Sequence, residues 1–236
     1  MQLHALACEY GGLGMPADMA RRADAVGGRF AADGVAAFEN MLCENDLRAM
    51  EALFPVLGAG TPGARSAAFT PEAQAWLGAH DGLNELARRL GGGAMCPIRY
   101  LAFDKSADAN WFVPWHQDRA ADGRERLPAE LENMLALRIH LDDCDENCGP
   151  LEVIAGSHGA GRLDASAIAG VVADGHGLLC LAARGDIVAM RPLAVYRSQR
   201  ARVPRARRVL HIEYTARDRA GRDDPNRTPI ESRADA

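Results

Sequence analysis

The chain has 236 residues and a formal net charge of −5, with 48% hydrophobic and 25% charged residues. That is the make-up of a globular protein with one sizeable core or at most two small ones. The acidic balance argues against a nucleic-acid or anionic-membrane partner, and no uninterrupted apolar run approaches the roughly 20 residues of a membrane span. The opening Met1-Gln2-Leu3-His4-Ala5-Leu6-Ala7-Cys8 lacks the basic flank and long apolar stretch of a signal peptide, so the expected location is the cytoplasm. There Cys8, Cys43, Cys96, Cys144, Cys148 and Cys180 are read as free thiols. Cys144 and Cys148 bracket a turn, but no second Cys or His pair stands at zinc-site spacing.

Residues 1–27 are rich in Gly, Ala and Met without a clear period, and the reading leaves open a short helix around Ala17–Ala25 or partial disorder. From Phe30 to Phe54 the apolar residues Val35, Phe38, Leu42, Leu47, Met50 and Leu53 suit helical packing, with a second helix starting at Glu44 or Asn45. Residues 71–91 read as helix, with Thr70 as N-cap before Pro71 and Gly91-Gly92-Gly93 as the stop. The character then changes to short strand-like runs: Ile98–Phe103, Trp111–Trp115, Leu135–Leu141, Leu151–Ile154, Ile187–Met190 and Val209–Tyr214. Turn residues such as Cys148-Gly149-Pro150, Gly156-Ser157 and Gly185-Asp186 separate them. Helices followed by many short strands predict a β-sandwich or jelly roll with helices packed outside it. The expected division is a poorly defined segment 1–27, one domain over 28–215 and a charged, flexible tail over 216–236.

Gly58-Ala59-Gly60-Thr61-Pro62-Gly63 fits the G-x-G-x-x-G dinucleotide pattern, which needs a preceding strand and a following helix. Here a helix-like segment comes first and Pro62 sits in the loop, so the stretch reads as a Gly-rich connection.

His116-Gln117-Asp118 is the central feature. On a strand, residues i and i+2 project to one side, so imidazole and carboxylate can reach one ion. That pair suits a non-haem Fe(II) site, in which a third protein ligand completes a facial triad and leaves positions open for a bidentate co-substrate and oxygen. Lys105, the one lysine in the chain, lies close before this motif. In a sequence that otherwise uses arginine, its position calls for an ammonium group, and it is placed with the co-substrate-binding residues.

The surrounding segments are Phe103-Asp104-Lys105, Asn110-Trp111-Phe112-Val113-Pro114-Trp115-His116-Gln117-Asp118, Leu137-Arg138-Ile139-His140-Leu141-Asp142-Asp143 and Asn147-Cys148-Gly149-Pro150-Leu151-Glu152-Val153-Ile154-Ala155-Gly156-Ser157-His158. Gly185–Leu193 and Arg207–Tyr214 close the series. In order and spacing this set resembles bacterial members of the phytanoyl-CoA dioxygenase family over roughly residues 30–215. The resemblance implies a mainly β α+β fold, a cupin-like double-stranded β-helix (jelly roll) with N-terminal helices packed on the larger sheet. It implies Fe(II) and 2-oxoglutarate as cofactors, His116 and Asp118 as metal ligands, and Arg207 with Ser198 at the distal carboxylate of 2-oxoglutarate. Arg208 stays open as the alternative to Arg207, since strand alternation sends only one of them inward.

The departure is at Tyr196, which stands where the family carries its third metal-ligating histidine. Three readings stay open: Tyr196 ligates the metal, water fills the position beside His116 and Asp118, or catalysis is lost. The expected function is an Fe(II)/2-oxoglutarate-dependent oxygenase acting on a C–H bond of a small molecule, with Tyr196 in the metal set. The alternatives are a silent relative that binds 2-oxoglutarate or another small molecule, and an enzyme that uses Tyr196 as a proton donor without oxidation. His140 and His158 read as structural, and His211 as a residue that could approach the site. His4, His80 and His176 read as surface residues, and Asp186 and Glu213 as turn or strand-surface groups. Trp111 and Trp115 read as packing residues, one of them able to wall the pocket. The sequence leaves the oligomeric state and the substrate open.

Overall fold

The computed structural model describes residues 17–58, 60–61, 63–65, 68–118 and 127–216. The expectations for most of the segment 1–27 and for the tail beyond Ala216 fall outside them.

Helix α1 (Ala17–Asp33) runs well past Ala25 and stops at Gly34, whose φ of +75° suits glycine. A Cβ there would also collide with the His158 ring. The chain leaves as strand β1 (Val35–Phe38), so the helical reading of Val35 and Phe38 is corrected. These residues pair antiparallel with β8 (Ile187–Met190), and sheet pairing overrides a local pattern that a helix could also satisfy. Helix α2 (Glu44–Leu53) starts where expected, and the Cys43 thiol sulfur accepts from the Asp46 amide. The Gly-rich stretch leads into strand β2 (Gly63–Arg65) rather than a helix, so the dinucleotide fingerprint lacks its second element.

Residues 71–91 form two helices, α3 (Pro71–Gly78) and α4 (Asp81–Gly91). Thr70 caps the first, accepting from the Ala73 amide at 3.2 Å. His80 caps the second through Nδ1, accepting from Leu83 at 3.3 Å, and its Nε2 lies 3.5 Å from Asp46. His80 is therefore a half-buried joint between helices rather than a free surface residue. Gly92, at φ +71°, ends α4.

The remaining strands are β3 (Met95–Asp104), β4 (Val113–His116), β5 (Met134–His140), β6 (Leu151–Ile154), β7 (Gly177–Cys180), β9 (Tyr196–Ser198) and β10 (Arg208–Ala216). A short helix α5 (Pro128–Leu131) precedes β5, and α6 (Ala165–Asp174) precedes β7. All pairings are antiparallel. The larger sheet has the order β1-β8-β5-β10-β3-β2 and the smaller β4-β9-β6-β7, the two layers of a double-stranded β-helix.

Period-two alternation sorts the side chains of the larger sheet. Leu135, Leu137 and Ile139 of β5 and Leu210, Ile212 and Tyr214 of β10 join Phe30, Met50, Leu77, Leu83 and Leu86 in the main core, under the N-terminal helices. The opposite face meets the smaller sheet, where Ala136, Val188 and Met190 pack against Leu151, Val153, Ala194 and Tyr196. By alternation Arg138 and His140 of β5, His211 and Glu213 of β10, and Phe103 of β3 point into this second space. Two sheets with an apolar filling on one side and polar side chains on the other place the chemistry between them. Among the described residues, no helix is long and apolar enough to cross a membrane.

Candidate functional site

Strands β4 and β9 pair so that His116 stands opposite Tyr196, and the two rings lie 4.3 Å apart between centroids. The His116 Nδ1 is 2.9 Å from the Pro114 carbonyl. Since a carbonyl only accepts, Nδ1 carries the proton and Nε2 presents its lone pair, the tautomer of a metal-ligating imidazole. The backbone amide of Asp118 donates to Pro192 at 3.0 Å, and the Tyr196 hydroxyl donates to Asp118 Oδ1 at 2.8 Å. Burial first, and the Asp118 charge second, push the Tyr196 phenol well above its ordinary range. Gln117 faces the other way and locks the segment: its amide donates to the carbonyls of Gly161 and Leu193, and its oxygen accepts from Leu163. A depression of about 480 Å³, lined in part by Leu131, Glu132, Arg191 and Leu193, borders this locked segment.

A second cluster lies further along the same interior. Lys105 is fully buried and its ammonium donates to Ser198 Oγ at 2.6 Å, to the Gln199 carbonyl and to the Gly149 carbonyl. The Trp111 ring lies 5.0 Å from it. Arg207, 2% exposed, donates from Nη1 to Gly149 at 2.8 Å, while its buried Nε has no hydrogen-bond partner among the described residues. Ser198 Oγ also donates to the Gly149 carbonyl, at 3.0 Å. That carbonyl thus collects three donors. Gly149 itself, at φ +64°, has no room for a Cβ, which would meet the Gln199 carbonyl. Arg208 points away, bidentate to Asp142 at 2.8 and 2.9 Å, so alternation sends Arg207 inward and Arg208 out.

Arg138, 6% exposed, is within electrostatic reach of both clusters, of Arg207 in one and of Tyr196 and Asp118 in the other. It donates to His211 Nδ1 at 3.0 Å and lies over the Phe103 ring. The Nε2 of His211 is 3.7 Å from Glu213, which in turn pairs with Arg99 at 3.0 Å. His211 is therefore tied to its own sheet by both nitrogens. Among the described residues, no three His, Cys, Asp or Glu side chains converge as a metal set, so His211 does not join His116 and Asp118.

Burial and the neighbouring Arg207 pull Lys105 down to about 7, and burial with Arg207 pulls Arg138 down to about 10. Burial, then Arg138 and Arg207, push His140 down to about 3, so it is a neutral structural residue. Among the described residues none of Lys105, Arg138 and Arg207 forms an ion pair with a carboxylate. With Glu213 already paired to Arg99, the three buried cations face the carboxylate of Asp118 and make the interior electropositive, and such charges are costly unless something anionic joins them.

Several residues depart from the sequence reading. Asp186 is buried, accepting from the amides of Asn40 and Ala183, and Glu213 is buried beside Arg99 and His211. Neither is a surface group. Trp115 lies outside the barrel under Arg197, while Trp111 walls the Lys105 end. Arg138 and Gly149 were not singled out as site residues. The signal for Arg138 was present, as a charge alternating with Leu137 and Ile139 on a strand whose neighbours are otherwise apolar. Nothing local in the sequence points to the Gly149 carbonyl. Cys144 and Cys148 do not share a ligand: Cys148 lies against Asp145, and Cys144 against Arg207.

The phytanoyl-CoA dioxygenase family model matches residues 64–209, more than half of the chain. Among solved structures, AviO1 from Streptomyces viridochromogenes is 25% identical with a TM-score of 0.65, and the match covers 88% of this chain and 97% of that one. SnoK, a non-heme alpha-ketoglutarate-dependent carbocyclase from nogalamycin biosynthesis, is 18% identical with a TM-score of 0.68, over 81% of this chain and 83% of that one. EctD from S. alaskensis, solved with 2-oxoglutarate and 5-hydroxyectoine, is 18% identical with a TM-score of 0.68, covering 89% and 80%. Among curated protein sequences none matches.

Proposed function

Because the chain belongs to the phytanoyl-CoA dioxygenase family, we propose that it is an Fe(II)/2-oxoglutarate-dependent oxygenase of a small molecule with a two-residue metal set. In this reading His116 and Asp118 hold the ion, and Tyr196 occupies the place of a third protein ligand without ligating. The observation that carries the proposal is the alignment of two features in one interior. The H-x-D pair lies at one end, and the cations Arg207 and Lys105 with Ser198 at the other, where the Arg207 Nε has no hydrogen-bond partner among the described residues. A carboxylate beside these groups would receive charge-assisted hydrogen bonds and neutralise a costly buried charge. When bound, Fe(II) and 2-oxoglutarate together supply oxidation of a C–H bond by molecular oxygen.

The residues of the chain supply position and exclusion of water. The Pro114 carbonyl fixes the His116 tautomer, and Gln117 fixes the strand end that carries both ligands. The Tyr196 hydrogen bond favours a neutral phenol over a phenolate, which leaves the third position to water. It also holds Asp118 and so weakens its donation to a metal.

Isothermal titration with Fe(II) under anaerobic conditions tests the metal set. One ion per chain is expected, with binding lost in both His116→Ala and Asp118→Ala and retained in Tyr196→Phe. Loss of binding in Tyr196→Phe would make the phenol a ligand and overturn the two-residue reading.

The same hydrogen bond favours a second reading, a family member that binds 2-oxoglutarate or a related small molecule without turnover. Both readings share the cation clamp, which has a pH signature. With the ligand absent, the Lys105 ammonium titrates near 7 instead of its ordinary 10.5. A bound carboxylate favours the charged form, so above pH 7 binding takes up a proton at Lys105 and affinity falls by up to tenfold per pH unit. Below pH 7 affinity is flat. For folding the sign is opposite: the unfolded chain holds the Lys105 proton more tightly, so ligand-free stability is lowest below pH 7 and rises between 7 and 10.5. Calorimetry at pH 8 in two buffers of different ionisation enthalpy should register proton uptake on 2-oxoglutarate binding, and Lys105→Met should remove it.

A further inference from the structure

The proposed function uses Arg207, Lys105 and Ser198 at one end of the co-substrate and leaves Arg138 unassigned. Arg138 lies inside the barrel on β5, opposite His211 in the β5–β10 register. Its only hydrogen bond to a side chain among the described residues goes to the neutral acceptor Nδ1 of His211. A guanidinium carries five N–H donors in a rigid fork, so most of its capacity is unspent in a side chain that is 6% exposed. Arg207 lowers its basicity while Tyr196, Cys180 and Asp118 raise it, so it lies within electrostatic reach of both the distal clamp and the H-x-D pair.

Charge counting gives the class of ligand. With the Glu213 carboxylate offset by Arg99, Arg138, Arg207 and Lys105, when all are protonated, confront the negative charge of Asp118. Two further negative charges would bring the interior to neutrality. Arg207 and His211 are four positions apart, about 13 Å along the chain at strand spacing. Arg138 projects beside His211, so a short carbon chain fits between the two inward-reaching guanidinium groups. A carboxylate met by a planar fork accepts two parallel hydrogen bonds, which is the strongest use of an unpaired buried arginine.

Resting on the proposed co-substrate clamp, we propose that Arg138 is a second carboxylate anchor. The barrel then holds a short α,ω-dicarboxylate at both ends through protein cations, before and independently of any metal. The keto group is not required for this binding. It matters only to a metal, whereas the two carboxylates matter to the protein.

The test compares glutarate, which has both carboxylates and no keto group, with butyrate, which has one. Titrations are made on the full-length protein in excess EDTA. The metal-free protein should bind glutarate at least tenfold more tightly than butyrate. Arg138→Gln should bring glutarate down to the butyrate level, and Arg138→Lys should recover much of the difference. Equal affinity for the two ligands in the natural protein overturns the proposal without any variant, and so does a preference that survives Arg138→Gln. If Arg207→Gln still weakens both ligands in either case, the distal clamp stands and only the second anchor fails. If Arg207→Gln also has no effect, the clamp itself is wrong.

Discussion

Tyr196→His tightens Fe(II) binding by about 100-fold or more. Two effects act in the same direction. The substitution supplies a third nitrogen ligand on the strand that already faces His116 across the β4–β9 register, completing the His/carboxylate/His set preferred by non-haem Fe(II). It also removes the phenol that donates to Asp118 at 2.8 Å, freeing both carboxylate oxygens for the ion. Perturbing a group bonded to a ligand alone is worth about 10–100-fold in metal affinity, and a new ligand adds to that. A smaller side chain in this half-buried position leaves a small void, so a loss of about 1–2 kcal/mol in metal-free stability accompanies the gain. Competition against a calibrated chelator measures the affinity. An unchanged value would show that the imidazole at 196 does not reach the ion held by His116 and Asp118.

The second large effect is at Arg207. Arg207→Met lowers 2-oxoglutarate affinity by about 100-fold, equivalent to about 2.7 kcal/mol, while leaving metal-free stability unchanged or higher. The asymmetry follows from the surroundings of the guanidinium. It is 2% exposed, its Nε has no hydrogen-bond partner among the described residues, and it lies beside two other buried cations. Removing it relieves repulsion and desolvation in the empty barrel, and replacing buried charge by packed apolar atoms is often neutral or stabilising. The Gly149 carbonyl keeps Lys105 and Ser198 as donors, so no acceptor is orphaned. A residue whose removal helps the empty protein and harms ligand binding is held for function. Thermal melts with and without 2-oxoglutarate read both effects, and a large loss of metal-free stability would instead make Arg207 a structural residue.

How much of this could be read from the residues depends on length and on alternation. β5, β6, β8 and β10 are apolar runs bounded by turns, and were visible within a residue or two. β2 and β9 have three residues each, too few for a period to register. β1, Val-Ala-Ala-Phe, carries no strand signature that a helix would not also show, and only its pairing with β8 decides it. β7 presents Leu178 and Leu179 largely to solvent, against the inward-apolar rule, and α6 is short and apolar enough to pass for either element.

The site shows the same division. H-x-D on a strand is a local pattern, and family resemblance placed Tyr196, Ser198 and Arg207 around it. Lys105 stood out because the chain otherwise uses arginine. The choice between Arg207 and Arg208 needed the strand phase, which the Asp142 pairing of Arg208 supplies. Arg138, His211 and Glu213 were harder, because a polar residue on a strand reads as solvent-facing unless both faces of its sheet are known to be covered. Here helices cover one face and the smaller sheet the other, so the polar side chains are buried together.

The central claim is that His116, Asp118 and the cation clamp form a working oxygenase site despite Tyr196. Succinate formation from 2-oxoglutarate by the natural protein, with Fe(II) raised until the site is saturated, tests it most directly. The account predicts Fe(II)-dependent succinate that disappears in His116→Ala. No succinate from the natural protein at saturating Fe(II), with turnover appearing in Tyr196→His, would contradict it and mark the chain as a binding protein disarmed at one position.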